Sequence, residues 1–178
     1  MPERVISSFT DIPIDCSTLV ICDIDDTVLH FPTMEAECAA AANDLAFTAK
    51  ERENNIRQLI SVYCCIKDPE HTDSAGFDDF MRRMEDHGGH LVFLTARSKS
   101  DEEFTRRHLR AVGIDEAKFQ IYFTDNAISK GEFILSRFDS LGLPLNQWKS
   151  VVFIDDRLDN IRTVEQLCHG IKCYQFCV

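Results

Sequence analysis

The sequence alternates short apolar runs with segments whose apolar residues recur every three or four positions. Most of the runs are continuous in Val, Ile, Leu and Phe, as expected of strands that helices cover on both faces. This alternation predicts a doubly wound α/β fold built on a parallel sheet of about five strands. The predicted strands are Thr18–Cys22, His90–Leu94, Gln120–Phe123, Ser150–Ile154 and Lys172–Phe176.

Clear helix signals separate the later strands. Ser100 with Glu103, and Ser129 with Glu132, have the spacing of capping boxes, in which each side chain caps a backbone N–H of the other. Each predicted helix is followed by a glycine, the residue that most easily takes the left-handed conformation at a helix end. The predicted helices cover residues 101–112, 130–141 and 158–169, and the glycines are Gly113, Gly142 and Gly170.

The first and second predicted strands are separated by far more chain than one crossover helix needs. Apolar residues from Cys38 to Tyr63 recur at helical spacing, which predicts one long helix or a helical pair with a break near residues 50–55. A further helix is expected to end at Gly88. The chain is therefore predicted to form a core of residues 1–32 and 89–178 with a small helical cap, residues 33–88, inserted after the first strand.

Composition and charge exclude several classes of protein. The 19 Lys and Arg residues against 30 Asp and Glu residues leave a net charge of −11, which argues against nucleic acid or an anionic membrane as a partner. Residues 1–8 carry both charge signs without a signal-peptide core, and no run of about 18 apolar residues occurs. We therefore expect a soluble, cytoplasmic protein whose eight cysteines are reduced thiols.

Acidic residues, a hydroxyl and a lysine follow the predicted strands. In open, Rossmann-like parallel sheets, ligands bind beyond the carboxyl ends of the strands. Carboxylates that converge there would repel one another unless a cation bound them, and hard oxygen ligands favour Mg²⁺. A lysine at a helix start beside that cation suits a phosphoryl group. The residues at the strand ends are Asp23 and Asp25, Thr95 and Arg97, Ser129 and Lys130, and Asp155 and Asp156.

Four motifs in this order resemble those of the haloacid dehalogenase (HAD) superfamily. The segment from Asp23 to Thr27 resembles the first motif, D-x-D-x-T/V, and Val92 to Arg97 resembles the second. Ser129 to Glu132 resembles the third motif, and Val152 to Asp156 the acidic fourth. The surrounding sequence is most similar to a poorly characterised branch of that superfamily, known mainly as a domain of unknown function.

The resemblance implies a Mg²⁺-dependent phosphatase that hydrolyses a small phosphomonoester. By position, Asp23 would be the nucleophile that forms an aspartyl phosphate, and Asp25 the general acid and base. Thr95 and Lys130 would bind the phosphoryl group of the substrate, and Arg97 either contacts the substrate or forms a surface ion pair. The metal ligands implied are Asp23, Asp25 through its backbone carbonyl, Asp155 and Asp156. Asp25 favours phosphate-ester chemistry, because dehalogenase and phosphonatase members lack the second aspartate.

Alternatives to a phosphatase remain open on the sequence. Phosphotransferases and nucleotidases of the same superfamily share the first motif, which does not distinguish water from an alcohol as acceptor. A non-catalytic binding module is the alternative from another class. Receiver domains also gather acidic residues at sheet ends, but they carry the phosphoacceptor on the third strand, where Asp125 is the candidate. Asn160 either orients Asp156 or only complements the helix dipole. The oligomeric state is not predicted.

Overall fold

A computed structural model describes residues 4–177, apart from the side chains of Glu35 and Cys64. Its centre is a six-stranded sheet in the order β1-β8-β7-β2-β5-β6, with all neighbouring strands parallel. A separate pair of short antiparallel strands, β3 and β4, lies outside this sheet. Residues 1–3 and 178, at the ends of the predicted core, are outside the described range. The strands are β1 (Val5–Ile6), β2 (Thr18–Cys22), β3 (Leu29–His30), β4 (Glu70–His71), β5 (His90–Thr95), β6 (Gln120–Phe123), β7 (Ser150–Asp155) and β8 (Lys172–Phe176).

The doubly wound α/β fold is confirmed, and so are the five predicted strands. Strands β5 and β7 each extend one residue beyond the apolar run, to Thr95 and Asp155. The sixth strand, β1, contains only two residues, too few for a periodic signal. It forms because the edge of β8 offers it unpaired backbone groups, as when the N–H of Gln175 donates to the carbonyl of Arg4 (2.8 Å).

Three helices lie between the later strands, as predicted. The capping box of Ser129 and Glu132 is confirmed, whereas the one expected for Ser100 and Glu103 is wrong. A 3₁₀ turn precedes that helix instead, and Ser98 caps the turn. None of the helices within residues 4–177 is both long and apolar enough to cross a membrane. The helices are α1 (Met34–Asn43), α2 (Ala49–Ile66), α3 (Ser74–Asp86), α4 (Glu102–Ala111), α5 (Lys130–Arg137) and α6 (Leu158–Leu167).

Successive strand residues enter opposite faces of the sheet, so the sheet carries two apolar clusters. One face packs against α5 and α6, with Ile134 and Val164 among the buried contacts. The other face packs against α3 and α4. Strand residues divide between the clusters by alternation: Leu19, Ile21, Val92, Leu94 and Phe153 face α5 and α6, and Val20, Cys22, Phe93, Val152 and Ile154 face α3 and α4.

Helices α1 and α2 form a hairpin that leaves most of its surface exposed. The break between them covers residues 44–48, ahead of the region 50–55 where the sequence predicts it. Thr48 and Glu51 form a capping box that starts α2, which explains the earlier break. Tyr63 is buried where α2 meets the core, with its ring centroid 5.7 Å from that of Phe31.

Helix α3 belongs to the packing of the sheet although it lies inside the predicted insert. Its residues Phe77, Phe80 and Met84 are buried in the same apolar cluster as the strands. At its start, the Asp73 carboxylate accepts hydrogen bonds from the Gly76 N–H (3.0 Å) and the Phe9 N–H (2.9 Å). The division of the chain into a core and a cap of residues 33–88 stays a prediction, and α1 with α2 is the part that packs apart from the sheet.

Candidate active site

Asp23 directly follows the central strand β2, and its backbone continues the ladder by donating to the Ile154 carbonyl (2.9 Å). Its side chain is buried, 7% exposed, and one carboxylate oxygen lies 2.5 Å from the Lys130 ammonium. The same ammonium lies 2.7 Å from Asp155 Oδ2. Lys130 is itself 2% exposed, so two buried carboxylates share one buried cation.

Local structure holds each member of this trio. Lys130 is the first residue of α5, where the Ser129 capping box fixes the direction in which the helix starts. Asp155 ends strand β7, and its carboxylate accepts from the Asn160 side-chain amide (2.9 Å to Oδ1) and from the Arg157 N–H (2.9 Å). Asn160 therefore orients Asp155, rather than Asp156 as the sequence left open.

Burial and neighbouring charges shift the pKa values of Asp23, Asp156 and Lys130. Burial raises the pKa of Asp23 well above its ordinary value; Lys130 opposes the shift, and Asp155 adds to it. Burial, together with the charges of Asp155 and Asp26, raises the pKa of Asp156 to about 6. Burial alone would lower the pKa of Lys130, but the two carboxylates that it contacts raise it. Three carboxylates, those of Asp23, Asp155 and Asp156, thus lie close together beside one lysine, which does not balance their ionised forms.

The donor set fits a divalent metal ion. Asp23, Asp155 and Asp156 each offer a carboxylate oxygen, and these three atoms lie within 4.8 Å of one another. Mg²⁺ prefers carboxylate oxygens at about 2.1 Å, so two ligands on opposite sides of the ion lie about 4.2 Å apart. Small side-chain shifts would bring the three oxygens to that distance. A dication would also offset the surplus charge described above.

Asp25 stands apart from this cluster, in a bidentate ion pair. The Arg97 guanidinium donates from Nε to Asp25 Oδ2 (2.9 Å) and from Nη2 to Oδ1 (2.5 Å). The Arg97 side chain is 7% exposed, whereas that of Asp25 is 39% exposed and accessible to solvent. The structure thus places Arg97 against Asp25. That Arg97 binds substrate, and that the Asp25 carbonyl binds metal, stay predictions.

Thr95 and two residues that the sequence analysis missed shape the surroundings of Arg97. The buried Thr95 hydroxyl accepts from the Arg97 N–H (3.1 Å), which fixes the turn after β5. Arg97 Nη1 donates to Thr105 Oγ1 (3.2 Å) and lies 3.1 Å from His108 Nδ1. Thr105 and His108 are three residues apart, on one face of the predicted helix 101–112. That spacing shows that they share a helix face but not which part of the protein the face meets. Substrate binding by Thr95 stays a prediction.

A cavity of about 340 Å³ adjoins the buried lysine. Lys130, Ser129, Arg157 and Asn160 contribute to its lining, and Ala96 borders it on the side of the second motif. Its lining does not include Asp23, Asp25 or Thr95, so the cavity lies beside the carboxylate cluster rather than over the predicted nucleophile.

Gly131 allows α5 to approach α6 closely enough to place Lys130. A Cβ atom at Gly131 would lie 2.6 Å from the Thr163 carbonyl oxygen, closer than packed atoms approach. We expect Gly131→Ala to lower the free energy of unfolding by about 1–3 kcal/mol, despite the better helix propensity of alanine. Denaturant unfolding measures the change. The control is Leu135→Ala, at an exposed site on the same helix, which should stay within about 0.5 kcal/mol of wild type. Equal stability of Gly131→Ala and wild type would contradict the close approach.

Comparison with known proteins gives matches among solved structures. No protein-family model matches the sequence, and no curated protein matches it significantly. A protein described as a β-phosphoglucomutase from Thermotoga maritima aligns with a TM-score of 0.58 at 13% identity, covering 89% of this chain and 84% of that one. A haloacid dehalogenase-like protein of unknown function from Agrobacterium tumefaciens gives a TM-score of 0.58 at 13% identity, covering 88% and 81%. CbbY from Rhodobacter sphaeroides, solved in complex with phosphate, gives 0.57 at 14% identity, covering 90% and 86%. At sequence identities this low, the similarity shows a shared fold only.

Proposed function

We propose that this chain, which has the haloacid dehalogenase-like fold, is a Mg²⁺-dependent phosphatase that hydrolyses a small phosphomonoester through an aspartyl phosphate. One observation carries the proposal: Lys130 bridges the buried carboxylates of Asp23 and Asp155 at the carboxyl ends of parallel strands. A phosphoryl group needs a nucleophile, a cation and a positive side chain at one point. Asp23 would be the nucleophile, Lys130 the positive side chain, and Asp23, Asp155 and Asp156 the carboxylates that hold the cation.

The first step transfers the phosphoryl group to the protein. A carboxylate oxygen of Asp23 attacks phosphorus, and the bond between phosphorus and the ester oxygen breaks with both electrons going to that oxygen. Asp25, two residues on, would give a proton to the departing oxygen once its ion pair with Arg97 has opened and it is protonated, so the alcohol leaves neutral. Lys130 and the Thr95 hydroxyl hold the phosphoryl oxygens, where negative charge is spread in the transition state.

The second step returns Asp23 to its starting form. Water attacks the phosphorus of the aspartyl phosphate while Asp25, now a carboxylate, takes a proton from it. The bond between phosphorus and the Asp23 oxygen breaks, releasing inorganic phosphate. Mg²⁺ held by Asp23, Asp155 and Asp156 would neutralise the clustered carboxylates and polarise a phosphoryl oxygen.

Solvent access favours water over a second alcohol as the acceptor. The Asp25 side chain is 39% exposed, so the predicted base is reached by water. The exposed α1–α2 hairpin covers little of the sheet and buries mainly Tyr63 against the core. Transfer to a sugar hydroxyl requires a site that excludes water, and this arrangement does not supply one.

The charge of the chain favours a small phosphorylated molecule over nucleic acid as the substrate. The net charge of −11 disfavours nucleic acid, because phosphate backbones are bound by clusters of Lys and Arg. A phosphorylated small molecule is therefore the proposed partner.

Hydrolysis of p-nitrophenyl phosphate tests the proposed function. The purified protein is expected to release p-nitrophenol with Mg²⁺ and to lose this activity when a chelator replaces the metal. Thermal unfolding with and without Mg²⁺ provides a second readout, since an ion bound to the native state raises the Tm. Turnover that is unchanged by the chelator would contradict the metal requirement. A Tm rise without any turnover would favour a binding module instead.

A further inference from the structure

Strand β6 forms an open edge of the central sheet. It ends the strand order within residues 4–177 and pairs with β5 on one side only. At the opposite edge, β1 contains two residues, whereas β6 contains four. The edge of a strand carries unpaired N–H and C=O groups, which readily pair with a further strand. No step of the proposed function uses this edge.

Two residues of β6 turn their backbone groups toward the open edge. Directly after the strand, the Thr124 N–H donates to the Thr95 carbonyl at the end of β5 (3.0 Å). The backbone groups of successive strand residues point to opposite sides of the strand, so those of Tyr122, two residues before Thr124, also face β5. Ile121 and Phe123 therefore present their N–H and C=O groups to the open edge.

Apolar side chains line the groove between this edge and α5. A cavity of about 390 Å³ lies in the groove, with Phe123, Phe133 and Leu141 in its lining. Leu141 is 40% exposed, and Ile128, which borders the same cavity, is 38% exposed. The Tyr122 ring lies beside Phe133, with centroids 6.1 Å apart. Large apolar side chains that remain exposed beside one another are typical of an interaction surface.

Charges of opposite sign lie at the two ends of this groove, and both residues line its cavity. Asp125 is exposed at the carboxyl end of β6, where its Oδ1 accepts from the Lys99 N–H (2.6 Å) and the Ser98 hydroxyl (3.1 Å). Arg137 is exposed at the end of α5. Because α5 returns the chain from the carboxyl edge of the sheet, Arg137 lies toward the amino end of β6. Neither side chain has an ion-pair partner among the described residues 4–177.

We propose that this open edge is the interface of a homodimer, in which β6 pairs antiparallel with β6 of a second copy about a two-fold axis at Tyr122. Ile121 then lies opposite the partner's Phe123, and the two residues exchange both of their backbone hydrogen bonds. The contact is isologous: each copy offers the same surface, and the assembly closes at two chains. Both α5 helices lie on one face of the joined sheet, where Phe133 and Leu141 of the two copies pack together.

The charges favour the antiparallel arrangement. It brings the carboxyl end of each β6 to the amino end of the other, so Asp125 meets the partner's Arg137 at both ends of the interface. A parallel pairing would instead place Asp125 beside the partner's Asp125, and like charges opposite one another in a sheet are destabilising. Backbone pairing, two ion pairs and the apolar groove thus act at one surface.

Analytical ultracentrifugation of the full chain tests the dimer. Wild type is expected to sediment as a species of twice the chain mass of 20.4 kDa. Arg137→Glu sets like charges against each other at both ends of the interface, so the dissociation constant should rise at least about 10-fold. Asp125→Lys should have the same effect, and the double variant, in which the two charges are exchanged, should recover the dimer.

Lys50→Glu is the control for these variants, because it makes the same charge change at an exposed site on α2 and should leave the dimer intact. A wild-type chain that stays monomeric at the highest concentration reached would overturn the proposal. A double variant as monomeric as Arg137→Glu would count against the contact between Asp125 and the partner's Arg137.

Amide hydrogen exchange, measured by nuclear magnetic resonance, tests where the interface lies. The Ile121 and Phe123 N–H groups are expected to exchange at least about 10-fold more slowly in the wild-type dimer than in Arg137→Glu, because pairing protects them. The Tyr122 N–H faces β5 and is the internal control, which should be protected in both proteins. A dimer in which Ile121 and Phe123 exchange as fast as in the variant would overturn the proposal. Neither measurement depends on phosphatase activity, so the proposed function is tested separately.

Discussion

Substitution of Asp23 by asparagine is expected to abolish phosphatase activity, lowering kcat for p-nitrophenyl phosphate by at least about four orders of magnitude, the scale on which loss of a nucleophile acts. Asparagine nearly preserves the shape of the buried side chain but removes the charge and the nucleophilic oxygen. The Lys130 contact (2.5 Å) also loses its ionic character. Steady-state kinetics in the presence of Mg²⁺ measure the change.

The matched control for this variant is Asp125→Asn. Asp125 also follows a strand of the sheet, β6, but it is exposed and its carboxylate accepts from the Lys99 N–H (2.6 Å). Asparagine keeps an acceptor there, so activity close to that of wild type is expected. Residual turnover in Asp23→Asn comparable to wild type would contradict the assignment of the nucleophile. Loss of function in Asp125→Asn instead would favour a receiver-like module.

Substitution of Lys130 by methionine is expected to have the largest effect on stability. Methionine has a similar length but no charge, so Asp23 and Asp155 lose the cation that lies 2.5 and 2.7 Å from them. Removing one partner of a buried ionic cluster typically costs about 3–5 kcal/mol, because the remaining charges stay desolvated. Urea unfolding in the presence of a chelator measures the loss in the free energy of unfolding.

Addition of Mg²⁺ provides the diagnostic comparison for Lys130→Met. The ion would bind the same carboxylates, so the variant is expected to gain more stability from Mg²⁺ than wild type does. Lys149→Met is the control, because Lys149 is exposed and its loss should cost less than about 0.5 kcal/mol. A variant as stable as wild type in chelator would contradict the charge balance described for the site.

The sequence predicts where the strands end and which edge of the sheet their carboxyl ends share. Continuous apolar runs identify strands that are buried on both faces, and the register pairs Cys22 with Phe93 and with Ile154. The residues that follow, such as Asp23 and Asp155, then share one edge. This shared edge is why the sequence predicts that Asp23, Asp155 and Lys130 lie close together.

The contacts of Arg97 could not be predicted, because they depend on side-chain direction and on tertiary packing. The helical pattern of α4 does not show which way Thr105 and His108 face. They contact Arg97, whereas Leu109 on the same helix is buried in the apolar cluster against the sheet. Likewise, the periodicity of α3 indicates an apolar face but not its partner. That face packs on the sheet, although the helix lies inside the predicted insert.

The central claim, an aspartyl phosphate on Asp23, is tested most directly by trapping it. Asp25→Asn should slow hydrolysis of the intermediate more than its formation from p-nitrophenyl phosphate, whose leaving group needs no acid. Intact mass spectrometry of this variant, quenched in acid during turnover, is expected to show the added mass of one phosphoryl group. Peptide mapping should place that group on Asp23, and the Asp23→Asn variant should lack it. A protein that turns over substrate without the adduct, or that carries it on another residue, would contradict the account.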